Sequence, residues 1–319
     1  MTTPVLRLGT RRSKLARTQS KLVGERLTAV TGIPVELVDI VTEGDVNRAP
    51  LVTMGGAGVF VSAVRDALLR GEVDFVVHSL KDLPTTPEPG IDLVAVPGRE
   101  DPRDALIARD NLTLGELPVG SKVATGSPRR QVQLEALGFG IEVIGIRGNV
   151  GTRIEAVTSG AADAVVLANA GLRRLGETDR ITEVIDPLQM LPAPGQGALA
   201  VECRAITATS TDQERFIAKA LAELDDAESR ACVIAERAVL SRAEAGCSAP
   251  LGALAEVVEG DAGLELSLAA VLADADGHLI RHSVQGRVVD ARTLGEELAD
   301  LLLERIDGNL PTTMSTKGA

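Results

Sequence analysis

What most constrains this chain is a strand, turn and helix order that occurs twice, each time with arginines in the turn. The first passage opens on an apolar strand, Val5–Leu8, followed by Gly9-Thr10-Arg11-Arg12-Ser13. A helix follows, with Leu15, Leu22, Val23, Leu27 and Val30 expected inward and Gly32 and Pro34 as its stop. A strand at Val35–Val41 comes next, then a Gly-rich stretch, Met54–Val59, leading into a helix with Phe60, Val61, Val64 and Leu68 inward. Gly71 closes that helix, and strand Asp74–His78 runs into Ser79-Leu80-Lys81-Asp82. The second passage has strand Lys122–Ala124, the turn Thr125–Arg130, and a helix with Val132, Leu134 and Leu137 inward. A strand at Ile141–Ile146 then ends in a turn holding Arg147 and Arg153, a helix closes at Gly160, and strand Ala164–Ala168 ends in Asn169-Ala170-Gly171. In both passages a helix-ending glycine sits three residues before the aspartate that opens a buried strand, Gly71 with Asp74 and Gly160 with Asp163. The offset between the passages is not constant, which points to a lid-like insertion around residues 43–58 in the first.

Such alternation predicts an α/β chain with mixed, mainly parallel sheets in two lobes of one topology. Ligands of such sheets bind beyond the carboxyl ends of the strands, where every polar turn above lies. After residue 218 the pattern changes. An amphipathic helix at Asp226–Ser241 leads to Ala245-Gly246-Cys247-Ser248-Ala249-Pro250. Strand-like runs at Ala253–Val258, Leu264–Leu272 and Leu279–Val284 follow, with a hairpin turn at Asp276-Gly277 and a final helix over Thr293–Leu303. This is a small α+β C-terminal domain, and the polar tail, 311–319, is expected to be disordered.

Composition narrows the chemistry. The net charge of −12, from 33 basic and 45 acidic residues, argues against nucleic-acid or anionic-membrane binding. It makes any local cluster of arginines informative. With four Phe, no Trp and no Tyr, stacking platforms for single strands are nearly excluded. Three cysteines are too few for a disulfide framework and suit a reducing, cytoplasmic setting. No apolar run reaches membrane-spanning length, and Arg11-Arg12 has no apolar segment after it to make a secretory signal.

Four arginine-bearing turns stand out: Arg11-Arg12, Arg129-Arg130, Arg147 with Arg153, and Arg173-Arg174. Each follows a strand or opens a helix after one, where helix N-termini and bidentate guanidinium groups suit carboxylate or phosphate. One such arginine is more often solvated surface charge; four at strand ends favour a ligand with several anionic groups. Lys81 and Asp82 end a buried strand, and a carboxylate there can stabilise a cation or move protons. Cys203 and Cys232 lie in apolar surroundings and are expected in the core. Cys247 lies in a Gly/Ser/Pro loop, where a thiol can be a nucleophile or an attachment point, a reading balanced by that of an ordinary loop residue. His278 and His282 flank the hairpin with no third ligand foreseen, so no metal site is expected. No phosphate loop of the GxxxxGK[ST] type, dinucleotide fingerprint or nucleophile elbow is present. On residues alone, a clamp for a small anion and a transferase for phosphorylated substrates stay open beside other enzymes.

Nine segments, in order, resemble the hydroxymethylbilane synthase (porphobilinogen deaminase) family: LGTRRSKLA (8–16), VHSLKDLP (77–84), EDPRDAL (100–106), ATGSPRRQ (124–131), IRGNVGTR (146–153), AGLRRLG (170–176), LPAPGQGALAVECR (191–204), AERA (235–238) and AGCSAPLG (245–252). The resemblance implies three domains. Residues 1–98 with 195–217 and residues 99–194 would form two periplasmic-binding-protein-like lobes, and 218–310 the third domain. It implies a dipyrromethane cofactor thioether-linked to Cys247, and Asp82 as the catalytic carboxylate. Ser79, Lys81, Asp82, Thr125, Ser127, Arg129, Arg130 and Arg147 would bind the cofactor; Arg11, Ser13, Gln19, Arg153, Arg174 and Gln196 would bind substrate. The implied reaction condenses four porphobilinogen molecules head to tail with loss of ammonia, and water then frees hydroxymethylbilane. Its partners would be porphobilinogen and the growing polypyrrole, handled by a monomer. The chain departs from many relatives in carrying Thr53 and Ala57 where they have lysines, Gly126 where serine is frequent, and Pro128 before the arginine pair.

Overall fold

A computed structural model describes residues 5–40, 58–243, 250–260, 263–274 and 276–306, with side chains from 61 onward in the second stretch. The lid-like insertion, Cys247 and the C-terminal tail lie outside the described residues. Three sheets make up the body. The first passage gives β1 (Leu6–Arg11), α1 (Lys14–Thr31), β2 (Val35–Ile40), α2 (Gly58–Leu69), β3 (Phe75–Ser79) and β4 (Ile91–Ala95). The second gives β5 (Asp104–Ala108), β6 (Lys122–Thr125), α3 (Pro128–Ala136), β7 (Glu142–Gly145), α4 (Val150–Thr158), β8 (Ala164–Ala168), α5 (Asn169–Leu175) and β9 (Glu183–Val184). The chain then returns as β10 (Leu199–Arg204) and continues into α6 (Asp212–Ala222), α7 (Ala227–Arg242), β11 (Leu251–Gly260), β12 (Gly263–Ala273), β13 (Leu279–Arg287) and α8 (Ala291–Ile306).

The first two sheets share one plan. Their orders are β2-β1-β3-β10-β4 and β7-β6-β8-β5-β9. In each, the first three strands pair in parallel and the fourth runs against both its neighbours, so four of five strands point the same way. The reversed strands are the two that carry the chain between lobes, β5 outward and β10 back. The third sheet, β11-β12-β13, is an antiparallel meander. Helices α7 and α8 bury its apolar side, with Leu266, Leu268, Leu298 and Leu302 at its centre. Among the described residues no helix is long and apolar enough to cross a membrane.

Local chemistry sets the helix ends. Ser13 caps α1 by accepting the Ala16 N–H (3.2 Å), and Gly32 closes it at φ 72°, donating to Thr28 O. The buried face of α1 differs from the expected one. Gln19, Ser20, Val23, Gly24 and Leu27 are covered, whereas Leu22 and Val30 are 45% and 54% exposed. Gly24 is the reason: a Cβ there would stand 3.2 Å from Val35, so the helix seats its small-residue side on the sheet. Likewise α3 buries Arg129, Arg130, Gln133 and Leu134, while Val132 and Leu137 are half-buried. A polar face turns inward there because it meets a buried carboxylate. Ile217, Ala220, Leu221 and Leu224 pack in the first sheet's core. We therefore propose that the segment returning to the first lobe runs to Leu224 rather than stopping at 217.

Candidate active site

The two crossovers between lobes lie side by side. Glu100 N donates to Gly197 O (3.2 Å), and Gln196 Nε2 donates to Pro102 O (2.7 Å). Gly197 holds φ 87°, and a Cβ on it would run into the Glu100 carbonyl, so only glycine permits this approach.

Asp104, the first residue of β5, is wholly buried at this crossing. Its Oδ1 accepts from Arg130 Nη2 (2.7 Å) and Gln196 Nε2 (2.8 Å), and its Oδ2 pairs with Arg129 Nη1 (2.9 Å). Arg129 also donates to Leu191 O (2.6 Å) and Arg130 to Val166 O (2.9 Å). The Nε–H of each arginine is buried with no acceptor. From the first lobe, Lys81 Nζ reaches Gln196 Oε1 (3.2 Å). Arg174, in the last turn of α5 and not at a helix start, donates to Gly197 O (2.6 Å). Arg153, on the first turn of α4, donates to Gly148 O (2.9 Å).

Burial disfavours these charges. It pushes Lys81 down to about 8, with Arg130 and Arg129 lowering it further against Asp82 and Asp104. Burial also lowers Arg129, opposed by Asp104, and lowers Arg153, helped by Arg130. It brings Arg174 to about 10, opposed by Glu100. For Asp104 burial alone would raise the carboxyl, but Arg129 and Arg130 hold it well below the usual range.

The other expected residues surround this cluster. Asp82 ends a short 3-10 turn after β3 and is exposed. That turn is held from beneath: Leu80 N donates to Ala198 O (3.0 Å), and Arg237 of α7 donates to Leu83 O (3.0 Å) and Pro84 O (2.6 Å). Ser79 exchanges hydrogen bonds with Gln19 (3.0 and 3.2 Å). Thr125 Oγ1 accepts the Ser127 N–H (3.2 Å). Arg11 ends β1, half-buried, and Arg147 is exposed ahead of α4; neither joins the Asp104 cluster through a bond described above. Sequence reasoning did not single out Asp104, Arg99, Glu236, Arg237 or Gln133. Asp104 carried one signal, a charge opening an otherwise apolar strand.

The hairpin differs from expectation. Its turn brings Asp274, Asp276 and His278 within 4.8 Å of one another, where no third ligand near His278 and His282 was foreseen. The Asp274 carboxylate is engaged by the N–H groups of Asp276 and His278 (2.9 and 2.8 Å), and the three residues serve as a self-capped turn.

Fold and site define a two-lobed α/β protein with a third domain, whose crossover gathers Arg129, Arg130 and, through Gln196, Lys81 about one buried carboxylate, Asp104. Residues 6–212 match the family described as "Porphobilinogen deaminase, dipyromethane cofactor binding domain", and residues 230–304 its C-terminal domain. Porphobilinogen deaminase 1 of Streptomyces coelicolor is 54% identical over 313 residues, 95% of this chain and 96% of that one. The porphobilinogen deaminase of Mycobacterium tuberculosis is 54% identical over 94% of this chain and 96% of its own, and that of Nocardia farcinica 53% over 94% and 86%. This chain belongs to the porphobilinogen deaminase family. Among solved structures, the methionine binding protein MetQ overlaps at a TM-score of 0.41 with 12% identity, covering 69% of this chain and 89% of that one.

The residues present fit a dipyrromethane: Arg129, Arg130 and Lys81 supply the cationic N–H groups that its carboxylates need.

Proposed function

We propose that the chain is a hydroxymethylbilane synthase, a transferase of porphyrin and heme biosynthesis that condenses four porphobilinogen molecules head to tail and releases the linear tetrapyrrole. One observation carries this reading. Lys81, Arg129, Arg130 and Arg174 converge on the crossing of the lobes around Asp104, Gln196 and Gly197, and burial disfavours the charge of Lys81, Arg129 and Arg174, so a ligand with several carboxylates suits them. A small monoanion would leave most of that cost in place.

When bound, the dipyrromethane supplies the primer pyrroles. Cys247 is the residue read as its thioether anchor. The chain just after it supports this: Ala253 N donates to Pro192 O (2.9 Å), next to the Leu191 carbonyl that Arg129 grips. Cys247 lies six residues before Ala253, and six residues of chain span at most about 20 Å, which bounds the distance of a group tethered there from the Leu191 carbonyl.

The protein's residues divide the work as follows. Ser79, Lys81, Thr125, Ser127, Arg129, Arg130 and Arg147 hold cofactor carboxylates, and Arg11, Ser13, Gln19, Arg153 and Arg174 receive those of incoming substrate, while Gln196, its amide engaged with Pro102, Asp104 and Lys81, serves the substrate by orienting Lys81. Asp82, exposed at a rigid turn, holds the positive charge that loss of ammonia leaves on porphobilinogen and handles the pyrrole proton. Ser13 spends one acceptor site on its helix cap, so it contributes to orientation of the α1 start as well. Two buried, unpaired thiols, Cys203 and Cys232, suit a reducing cytoplasm. One chain supplies both lobes and the tether, so the working unit is read as a monomer.

The test is ammonia release and tetrapyrrole formation from porphobilinogen by wild type and Asp82→Asn. Wild type should produce both. The variant should fold, since no described bond depends on the Asp82 side chain, and lose at least about a hundredfold in turnover, the scale of a lost acid–base group. Near-normal turnover by the variant would refute the role of Asp82; wild type that releases no ammonia would refute the activity.

A further inference from the structure

We propose that Asp104 is a positioning residue for the reaction: from the crossover between lobes it fixes Arg129 and Arg130 of one lobe and, through Gln196, Lys81 of the other as a single anion-gripping unit. This rests on reading those cations as the oligopyrrole grip.

Asp104 is 0% exposed; its Oδ1 accepts from Arg130 and Gln196, and its Oδ2 stands 2.9 Å from Arg129 Nη1 as an ion pair that is not aligned as a hydrogen bond. Gln196, 1% exposed, then spends its amide oxygen on Lys81. A carboxylate opening a strand whose other residues are Ala, Leu, Ile and Ala is costly to bury unless something requires it. Two guanidinium groups on adjacent residues require it, because without a carboxylate between them they repel and splay. With it, Arg129 uses Nη1 and Arg130 both of its Nη groups on protein, and the Nε–H of each has no acceptor. One carboxylate against three cations also leaves net positive charge for ligand.

Asp104 and Gln196 stand on the two strands of chain that cross between lobes, joined there by the Glu100–Gly197 bond. Any shift of one lobe against the other is therefore felt in the separation of Lys81 from the arginine pair. Charged groups acting on Lys81 are Asp82, Arg130, Asp104 and Arg129. Of the two that favour its ammonium form, Asp104 is one. Neutralising Asp104 lowers Lys81 below its present value of about 8, so protonated Lys81 is lost at lower pH.

The experiment uses full-length Asp104→Asn and Gln196→Met, supplied with porphobilinogen, and reads intact mass, thermal unfolding and the pH dependence of turnover. Asp104→Asn should take up less than about a tenth of the wild-type added mass, and its high-pH limb should fall by about one unit, a tenfold change in proton affinity. Gln196→Met leaves the arginine pair on Asp104, so it should load, but lose an acceptor for Lys81 and show the same downward movement of the limb. A folded Asp104→Asn protein that loads fully and keeps the wild-type limb overturns the proposal. If Asp104→Asn does not fold, an unmoved limb in Gln196→Met overturns it. Wild type that gains no mass with porphobilinogen removes the oligopyrrole reading itself, a failure distinct from either variant's result.

Discussion

Glu236 and Arg99 form a two-armed ion pair at the junction of the three sheets. Arg99 donates to both carboxylate oxygens (2.7 and 2.9 Å), and Glu236, fully buried on α7, also accepts the N–H groups of Gly195 (2.6 Å) and Ala255 (2.8 Å). Arg99 completes the link through Gln196 O (2.8 Å). One carboxylate from the third domain thus fastens the crossover of the other two. Breaking a buried pair by removing one charge leaves the other uncompensated. Glu236→Gln should therefore cost about 3–5 kcal/mol in urea unfolding. A loss below about 1 kcal/mol, the scale of an exposed pair, would contradict this account of the junction.

A second buried pair sets the acid limit of the first lobe. Glu202 of β10 accepts from Arg65 of α2 (2.6 and 2.9 Å), with His78 Nε2 at 3.4 Å. Burial would raise its carboxyl, but hydrogen bonds and charge from His78 and Arg65 prevail and hold it at about 2. Its folded value lies below the unfolded one, so its contribution, about 3 kcal/mol, is complete above about pH 4.5 and is lost as pH falls toward 2. In Arg65→Met this depression weakens, and acid unfolding followed by circular dichroism should begin at higher pH than in wild type. Coincident acid transitions would argue against the pair's role.

The lobes and the third domain were legible from residue pattern because glycine stops, buried strands and polar turns are local signals. The faces were less so. Hydrophobicity placed Leu22 and Val30 inward, yet α1 seats on Gly24, because backbone approach can outweigh apolar content. On α3 the buried side is Arg129, Arg130 and Gln133, a choice dictated by Asp104, whose partners lie far away in sequence. Strand β5 and helix α6 were not foreseen: one is a crossing strand whose only mark is its leading aspartate, the other a helix capped by Thr211 with Asp212 and Glu214 in its first turn. The candidate ligand groups were readable as motifs, but the residues that hold them, Arg99, Glu236 and Arg237, act through tertiary contacts that no local spacing announces.

Packing accounts for glycine at position 126, where the family resemblance led to the expectation of serine. A Cβ at 126 would stand 2.6 Å from the Ile146 carbonyl, beside the backbone bond from Ile146 N to Thr125 O (3.3 Å). Gly126→Ser must push that strand end away, at about 1–3 kcal/mol, the usual cost of overpacking. Differential scanning calorimetry should record a lower Tm. An equal or higher Tm would show that this turn has room that the structure denies it.

The tether is tested most directly by intact mass. Purified wild type, active with porphobilinogen, should exceed its polypeptide mass by two linked pyrrole units, and Cys247→Ala should show the bare polypeptide mass and no sustained synthesis. Fully active wild type at the unmodified mass, or a Cys247→Ala protein that still carries the increment, would contradict it.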